Sequence, residues 1–504
     1  MAGGPPMAFG GDAPPPLKGA RLALGGFALA LSNFVVVLDI TIANVSVPHI
    51  SGSLAVAPTQ GTWVLTSYAV AEAICVPLTG WLTRTFGAVR LFLAALMGFA
   101  VFSMLCGISG SLAALIAFRV CQGLCGGPIM PMTQTLLMRI FPRDKGGSAL
   151  GLWAMTTVVA PIAGPICGGF ISDNWSWHWL FFINIPLAAF CLVIAWRLIR
   201  RFETPTQKSP IDFVGLALMV LWVGALQIML DKGREEDWFS SSFIVILAVT
   251  AVVGFIAFLI WELTEKHPII DLSVFRNRGF TLAVVTQSVA YGAFFTFIVL
   301  IPMFLQTNLN YTATWAGLAM GWVGMLAVVF SPIVSRLVGK VDTRALISFG
   351  VMWLGMVAAL RTVWVTDMGY WTIAFPQMIQ GLGMPFFFVG STALAMASVR
   401  PDQTASGAGI QNFMRTMAGA FATSMSTTLW EHQTKVNRVE LVGLVHPPVN
   451  TGMPVAQARM ALSQLVQTEA VTLATRQVFL LCTVIFFVAA CLIWLAPKPG
   501  QRKG

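Results

Sequence analysis

The sequence predicts an all-α membrane protein of fourteen transmembrane helices, arranged as two six-helix bundles with a two-helix insert between them. Three observations predict it. Of the 504 residues, 57% are hydrophobic and 10% charged, whereas soluble domains carry about 25% charged residues. Apolar runs of about twenty residues, each long enough to cross a bilayer, recur from Leu22 to Leu495. Finally, QGLCGGPIMP at 122–131 and FPRDKGGSALG at 141–151 are echoed by QGLGMPFFFVG at 380–390 and VRPDQTASGAG at 399–409, an offset of 258 residues. That offset spans eight helices, six for one bundle and two for an insert, so the first six and last six are two repeats.

The elements follow from apolar runs and their polar punctuation. Residues 1–20 are Gly/Pro-rich and read as a disordered tail. The run that follows is too long for a signal-peptide core and lacks a small-residue cleavage site, so it stays as the first span. Spans are expected near 22–47, 61–83, 89–108, 112–138, 148–171, 179–199, 212–230, 242–263, 279–305, 313–337, 344–365, 370–398, 405–430 and 477–496. The units are then an N-terminal bundle over 21–201, an insert over 202–266, a C-terminal bundle over 267–497 and a tail over 498–504. A long outside loop, about 431–476, contains AQARMALSQLVQTEAVTLATR, an amphipathic helical pattern. The hairpin LDKGREEDWFSS reads as a solvated acidic loop.

Charge fixes the orientation. With both termini cytoplasmic, 21 basic residues fall inside and 7 outside, Arg361 among the latter, while Arg119 and Arg415 fall within spans. The formal charge of +10 is scattered between spans rather than gathered on one surface, which excludes nucleic acid as a partner. All eight cysteines lie in apolar segments, so neither a disulfide framework nor a metal cluster is expected. GxxxxGK[ST], HExxH and GxSxG are absent; the reading is a non-enzyme with no cofactor and no catalytic residue.

Of the twenty carboxylates, only Asp39 and Glu72 lie deep within spans, where a charge costs about 2.5–3.5 kcal/mol on lenient scales. Ser32, Asp39 and Ser46 recur every seven residues and share one face of the first helix, while Asn33 and Asn44 share another. A polar stripe on a water-filled cavity is implied. In AFRVCQGLCGG, Arg119 shares a face with Gln122 and with glycines that admit a neighbouring helix closely. Arg119 is therefore expected to tune a nearby acid, and Asp39, Glu72 and Arg119 form the candidate proton-coupling set. Asn33, Gln122, Gln287, Tyr291, Phe294, Phe295, Gln411 and Arg415 are the candidate lining of a cavity for greasy molecules. In the fifth span, Pro161, Gly164, Pro165, Gly168 and Gly169 follow helical spacing on one face, giving a smooth, kinked surface suited to rocking.

These segments resemble a known family. LDITIANVSVP, GWLTRTFGAVR, RVCQGLCGG and GPICGG are similar to motifs of the major facilitator superfamily, the last to its drug:proton antiporter motif. Fourteen spans and WSWHWLFFINIPLA at 175–188 make the likeness one to the EmrB/QacA-type antiporters, and within them to Gram-negative EmrB- and FarB-like exporters. The loop motif implies a conformational role for Gly80, Arg84, Gly87 and Arg90. It also departs from the family pattern, which has an Asp–Arg pair where this chain has Arg84 and Thr85.

The resemblance implies proton-coupled efflux of lipophilic or amphipathic compounds such as drugs, detergents or fatty acids, by alternating access across a bacterial inner membrane. The implied partners are membrane lipid, lipophilic small molecules and protons, a periplasmic adaptor protein and an outer-membrane channel. A dedicated metabolite exporter or proton symporter on the same fold is the alternative within transport. A membrane receptor or scaffold without transport is the alternative outside it.

Overall fold

The structure, a computed structural model, describes residues 14–142, 145–207, 210–400, 403–444 and 455–498. Parts of the expected tails (1–13 and 499–504) and of the expected loop (445–454) lie outside the described residues. Fourteen long helices follow one another. They are α1 (Gly19–Ser53), α2 (Trp63–Phe86), α3 (Ala88–Gly107), α4 (Leu112–Ile140), α5 (Gly146–Asn174), α6 (Trp179–Leu198) and α7 (Phe213–Lys232), then α8 (Ser242–Thr264), α9 (Arg278–Asn308), α10 (Ala313–Leu337), α11 (Thr343–Leu360), α12 (Tyr370–Ser398), α13 (Thr404–Leu444) and α14 (Val455–Leu492). Twelve are long and apolar enough to cross a membrane, thirteen if the bent α5 counts as one span. The fourteenth expected span lies on α13, whose opening turns carry Gln411, Asn412 and Arg415 and fall short of that apolarity.

Local chemistry sets the boundaries. Asp212, Asn277 and Asp342 each precede a helix and accept a first-turn backbone N–H, from Gly215 at 2.9 Å, Gly279 at 2.9 Å and Arg344 at 3.0 Å. The Arg344 side chain also donates to Asp342 and holds its carboxyl below the usual range. Gly87 ends α2 at φ +89°, a left-handed conformation that glycine adopts without a side-chain clash. α4 is interrupted at Gly127 and Pro128, and the halves of α5 incline by 41°. The insert helix α8 is the most lipid-facing, with 22% of its apolar window buried against 78% for α1 and α12.

The two most extensive helix crossings between the halves are α2 with α13 and α5 with α10; α4 with α13 and α5 with α12 add lesser contacts. The backbones of the first two pairs meet at the face that carries both described chain ends. A methyl group on Gly80 would lie 2.8 Å from the Ser406 Cα, and one on Gly147 would lie 2.3 Å from the Ser335 carbonyl oxygen. Ser331 Oγ donates to the Gly151 carbonyl at 3.1 Å. With no hydrophobic drive between helices in lipid, such close approach supplies the packing.

The opposite face differs from expectation twice. The segment 431–476 is helical over 455–476, as the amphipathic pattern there predicts, and over 431–444, where a loop is expected, because α13 and α14 run on as a paired extension. α13 has 41 residues, about 60 Å at 1.5 Å per residue, roughly twice the hydrocarbon thickness. The hairpin after α7 is not simply solvated. Lys232 Nζ donates to Thr62 Oγ1 at 2.6 Å, while Ser424 Oγ donates to the Leu230 carbonyl at 2.7 Å and Trp238 Nε1 to Thr428 Oγ1 at 3.1 Å. The hairpin thus contacts the α2 end of one half and α13 of the other.

Candidate functional site

Asp39 on α1 and Gln122 on α4 have no solvent exposure, and Arg119, also on α4, is 1% exposed. Arg119 Nη1 donates to Asp39 Oδ2 at 2.6 Å and to Gln122 Oε1 at 2.9 Å. Gln122 Nε2 reaches Asp39 Oδ1 at 3.2 Å, and Asn184 Nδ2 of α6 reaches the same oxygen at 2.7 Å. Arg119 Nε donates to the Val64 carbonyl at 3.1 Å, and its guanidinium lies 4.1 Å from the Tyr68 ring centroid. Both carboxylate oxygens are satisfied, and the positive charge rests on α2 and α4 as well as on α1. Isolated ions this deep would each cost several kcal/mol; the pair and its neutral donors offset that cost.

The close fit is built by glycine. A methyl on Gly123 would stand 2.5 Å from the Tyr68 carbonyl oxygen, and one on Gly126 would stand 2.5 Å from the Tyr68 hydroxyl. Only bare backbone lets α4 press against α2 and bring Arg119 within reach of α1.

The stripe expected to line a cavity divides instead. Ser32 Oγ donates to the Ala28 carbonyl at 2.8 Å, and Ser46 Oγ lies 2.6 Å from Ser172 Oγ of α5. Asn33 donates to Thr156 and Thr157 of α5 at 2.9 and 3.0 Å, while Asn44 is exposed. Seven residues are slightly under two helical turns, so the stripe drifts from one neighbour to another. Asn33 and Gln122 thus lie within the N-terminal bundle, apart from the other cavity candidates.

Those others meet between the halves. Gln134 Nε2 donates to Gln411 Oε1 at 3.1 Å, Asn412 Nδ2 to Gln134 Oε1 at 3.0 Å, and Gln411 Nε2 to Gln287 Oε1. The Arg415 guanidinium stands 5.2 Å from the Trp153 ring and 5.4 Å from the Tyr291 ring, and donates to Met130 Sδ at 3.1 Å. Tyr291 packs on Phe294, Phe295 and Phe388. Glu72 is 3% exposed, on α2 of the N-terminal half, whereas Arg415 lies on α13 of the other half. Nearby, a cavity of about 10 Å³ lies between Ala154 and Met155 of α5 and Ala327, Met384 and Phe388, room for no more than one water.

The motif residues cluster at helix contacts. Gly164 and Gly168 of α5 face Thr41 and Ile42 of α1, where added methyl groups would lie 2.1 Å from Thr41 Oγ1 and 2.6 Å from the Ile42 carbonyl. Pro161 and Gly169 are buried beside them; Pro165 belongs to the same helix, its side chain lying outside the described residues. Gly87 abuts Glu203, whose carboxylate accepts the Val89 and Arg90 backbone N–H groups at 2.9 and 3.0 Å, so it caps α3. Arg90 itself is exposed, 3.8 Å from Glu203. Arg84, where the motif has an acid, is exposed and acts on Asp271 of the other half. Burial works to raise the Asp271 carboxyl, but hydrogen bonds from Ser273 and Gln403 and the charge of Arg84 hold it below its ordinary value.

Sequence reasoning missed Asn184, Ser103, Gln134, Asn412 and Arg361. Asn184 lies in FFINIPLA and Gln134 in PMTQTLL; each is a polar residue deep in an apolar run, the signal that singled out Asp39. Arg361, counted among the outside residues, is fully buried.

The Major Facilitator Superfamily profile matches residues 29–423. The fatty acid resistance protein FarB of Neisseria gonorrhoeae is 41% identical, covering 97% of this chain and 99% of that protein. The multidrug export protein EmrB of Escherichia coli K12 is 42% identical over 97% and 98%. A colistin resistance protein EmrB of Acinetobacter baumannii is 30% identical over 82% and 81%. Among solved structures, the human organic anion transporter MFSD10 superposes with a TM-score of 0.57 at 12% identity, covering 93% of this chain and all of that one. A bacterial homologue of the human lysosomal transporter Spinster gives 0.53 at 14%, covering 95% and 98%. These two speak for the fold alone. On the profile and the sequence relatives, the chain belongs to the major facilitator superfamily.

Proposed function

We propose that this protein exports lipophilic or amphipathic compounds, drugs, detergents or fatty acids among them, by exchanging them for protons in an alternating-access cycle. The relatives' names, multidrug export and fatty acid resistance, support the substrate class. Alternating access draws support from two close crossings between halves that pack through bare backbone. The protein acts as a transporter, not an enzyme, in the inner membrane of a bacterial cell with both termini cytoplasmic, as the basic-residue asymmetry implies.

The observation that carries the coupling proposal is the Asp39–Arg119 pair. A proton arriving on Asp39 replaces the acceptor that Arg119 Nη1 uses. Arg119 then keeps Gln122 and the Val64 carbonyl as acceptors and the Tyr68 face as a cation–π partner. Asn184 still donates to Oδ1. The site thus tolerates both states of the acid, and protonation removes one tie between α1 and α4. One charge crossing 100 mV supplies about 2.3 kcal/mol for moving substrate uphill. The test is transport of a neutral lipophilic dye in proteoliposomes under an imposed pH gradient. Accumulation that collapses when the gradient is dissipated supports antiport; uptake indifferent to the gradient rejects it.

A second reading assigns the proton to Glu72. It rests on the placement of Glu72 and Arg415 in different halves, so that their separation changes as the halves move.

The adaptor and outer-membrane channel belong to this proposal as well. The paired extension of α13 and α14 is knit by Trp430 to Thr475 at 2.8 Å and Asn437 to Gln477 at 3.2 Å. It exposes Val439, Leu444, Met460 and Leu465, an apolar surface suited to a helical partner. Shortening the extension should abolish efflux in cells and spare transport in vesicles; equal loss in both rejects the docking role.

A further inference from the structure

The 258-residue offset carries Asp39 onto Phe297, Ser103 onto Arg361, Arg119 onto Gln377 and Gln122 onto Gln380. The C-terminal half therefore repeats the geometry of the Asp39 site with different charges. The cation comes from the end of α11 instead of the fourth helix of its half, and the acid is replaced by a phenylalanine. Arg361 has no solvent exposure. Its Nη2 donates to Gln377 Oε1 at 2.9 Å and also to Gln380 Oε1, and its guanidinium lies 4.7 Å from the Phe297 ring centroid.

No carboxylate among the described residues pairs with it. Arg361 Nε, Arg361 Nη1 and Gln377 Nε2 are all buried without a hydrogen-bond partner. Each of these atoms is a donor, so what is missing there is an acceptor, and the net charge calls for a negative one. Buried charges are paired, and one left uncompensated is strongly destabilising.

We infer that the buried donor cluster of Arg361 and Gln377 binds a monovalent anion, either a halide ion or the carboxylate of an amphipathic acid. Guanidinium and amide N–H groups suit both chemistries. The Phe297 ring supplies a cation–π contact to Arg361. The inference stands apart from the antiport proposal, because binding is measured without transport.

The experiment uses the full-length protein in detergent micelles, at fixed pH and ionic strength. Sodium gluconate, whose polyhydroxylated anion is bulkier and more strongly hydrated than either probe, is replaced stepwise by sodium chloride in one arm and sodium hexanoate in the other. A ligand that binds only the folded state raises the thermal midpoint saturably. The midpoint should rise with at least one anion, and the rise should vanish in Arg361→Gln. A response to chloride alone identifies a halide site; a response to hexanoate alone identifies a carboxylate site. Gln377→Leu, which keeps the guanidinium, should reduce the rise and serves if Arg361→Gln does not fold. Indifference of the parent protein to both anions overturns the inference, as does an unchanged response in the folded variants.

Discussion

The polar cluster around Asp39 and the polar layer around Gln411 are both sealed from water, yet a rocking motion affects them differently. Asp39, Arg119, Gln122 and Asn184 all belong to the N-terminal half. In the proposed cycle, relative movement of the halves leaves those contacts intact, and protonation of Asp39 alters them. Gln134 bonds to Gln411 and Asn412 across the two halves, so the proposed rocking would break that layer whatever the protonation state. The difference teaches that coupling needs an element shared by both. α4 is one such element, since it carries Arg119 and Gln122 in one segment and Met130 and Gln134 in the other, on either side of the Gly127–Pro128 interruption.

The comparison breaks most severely if the cluster loses its cation. Arg119→Leu strands a buried carboxylate and should destabilise the protein by about 3–5 kcal/mol; adding Asp39→Asn should recover most of the loss in thermal unfolding. Next in size is the crossing of α2 and α13. Gly80→Val places a side chain against the Ser406 Cα and Oγ, and overpacking of about 1–3 kcal/mol should slow transport roughly tenfold or more, with partial rescue by Ser406→Gly. Rates unchanged by Gly80→Val would show that the contact does not form in the cycle.

Smaller effects sharpen the contrast. Gln134→Leu leaves the Gln411 Oε1 and Asn412 Nδ2 bonds unmade, about 1–3 kcal/mol per buried group. Because the layer spans the halves, it should shift the conformational equilibrium, read by accessibility of engineered cysteines, while leaving proton binding alone. Smallest is Arg234→Ala. Its pair with Glu431, at 3.2 Å and well exposed, contributes no more than about 1 kcal/mol, so transport in vesicles should change less than twofold.

Much of this was legible in the sequence because lipid imposes a simple rule: a backbone crossing it must be helical, and run lengths then mark the helices. All fourteen expected segments coincide with long helices. Asp39 and Arg119 stood out as charges inside apolar runs, and the glycines beside Arg119 announced the close approach that brings them together. Periodicity does not say which neighbour a face meets, so Ser32, Asp39 and Ser46 could be placed on one stripe but not assigned to separate partners. Neutral amides such as Asn184 and Gln134 carry no charge to flag them. Arg361 was misplaced because charge counting assigns a residue near a helix end to the nearest loop, whereas packing of α9, α11, α12 and α14 closes over it.

The central claim is that the proton is carried within the N-terminal half, on Asp39, rather than between the halves, on Glu72. The most direct test adds a lipophilic cation, tetraphenylphosphonium, to purified protein in weakly buffered solution and follows released protons with a pH-sensitive dye. Asp39→Asn should insert normally, since an amide costs less in lipid than a charge, and should release none. Glu72→Gln should retain a measurable part of the release. Release that persists in Asp39→Asn and disappears in Glu72→Gln would contradict the account and move the coupling acid to the interface.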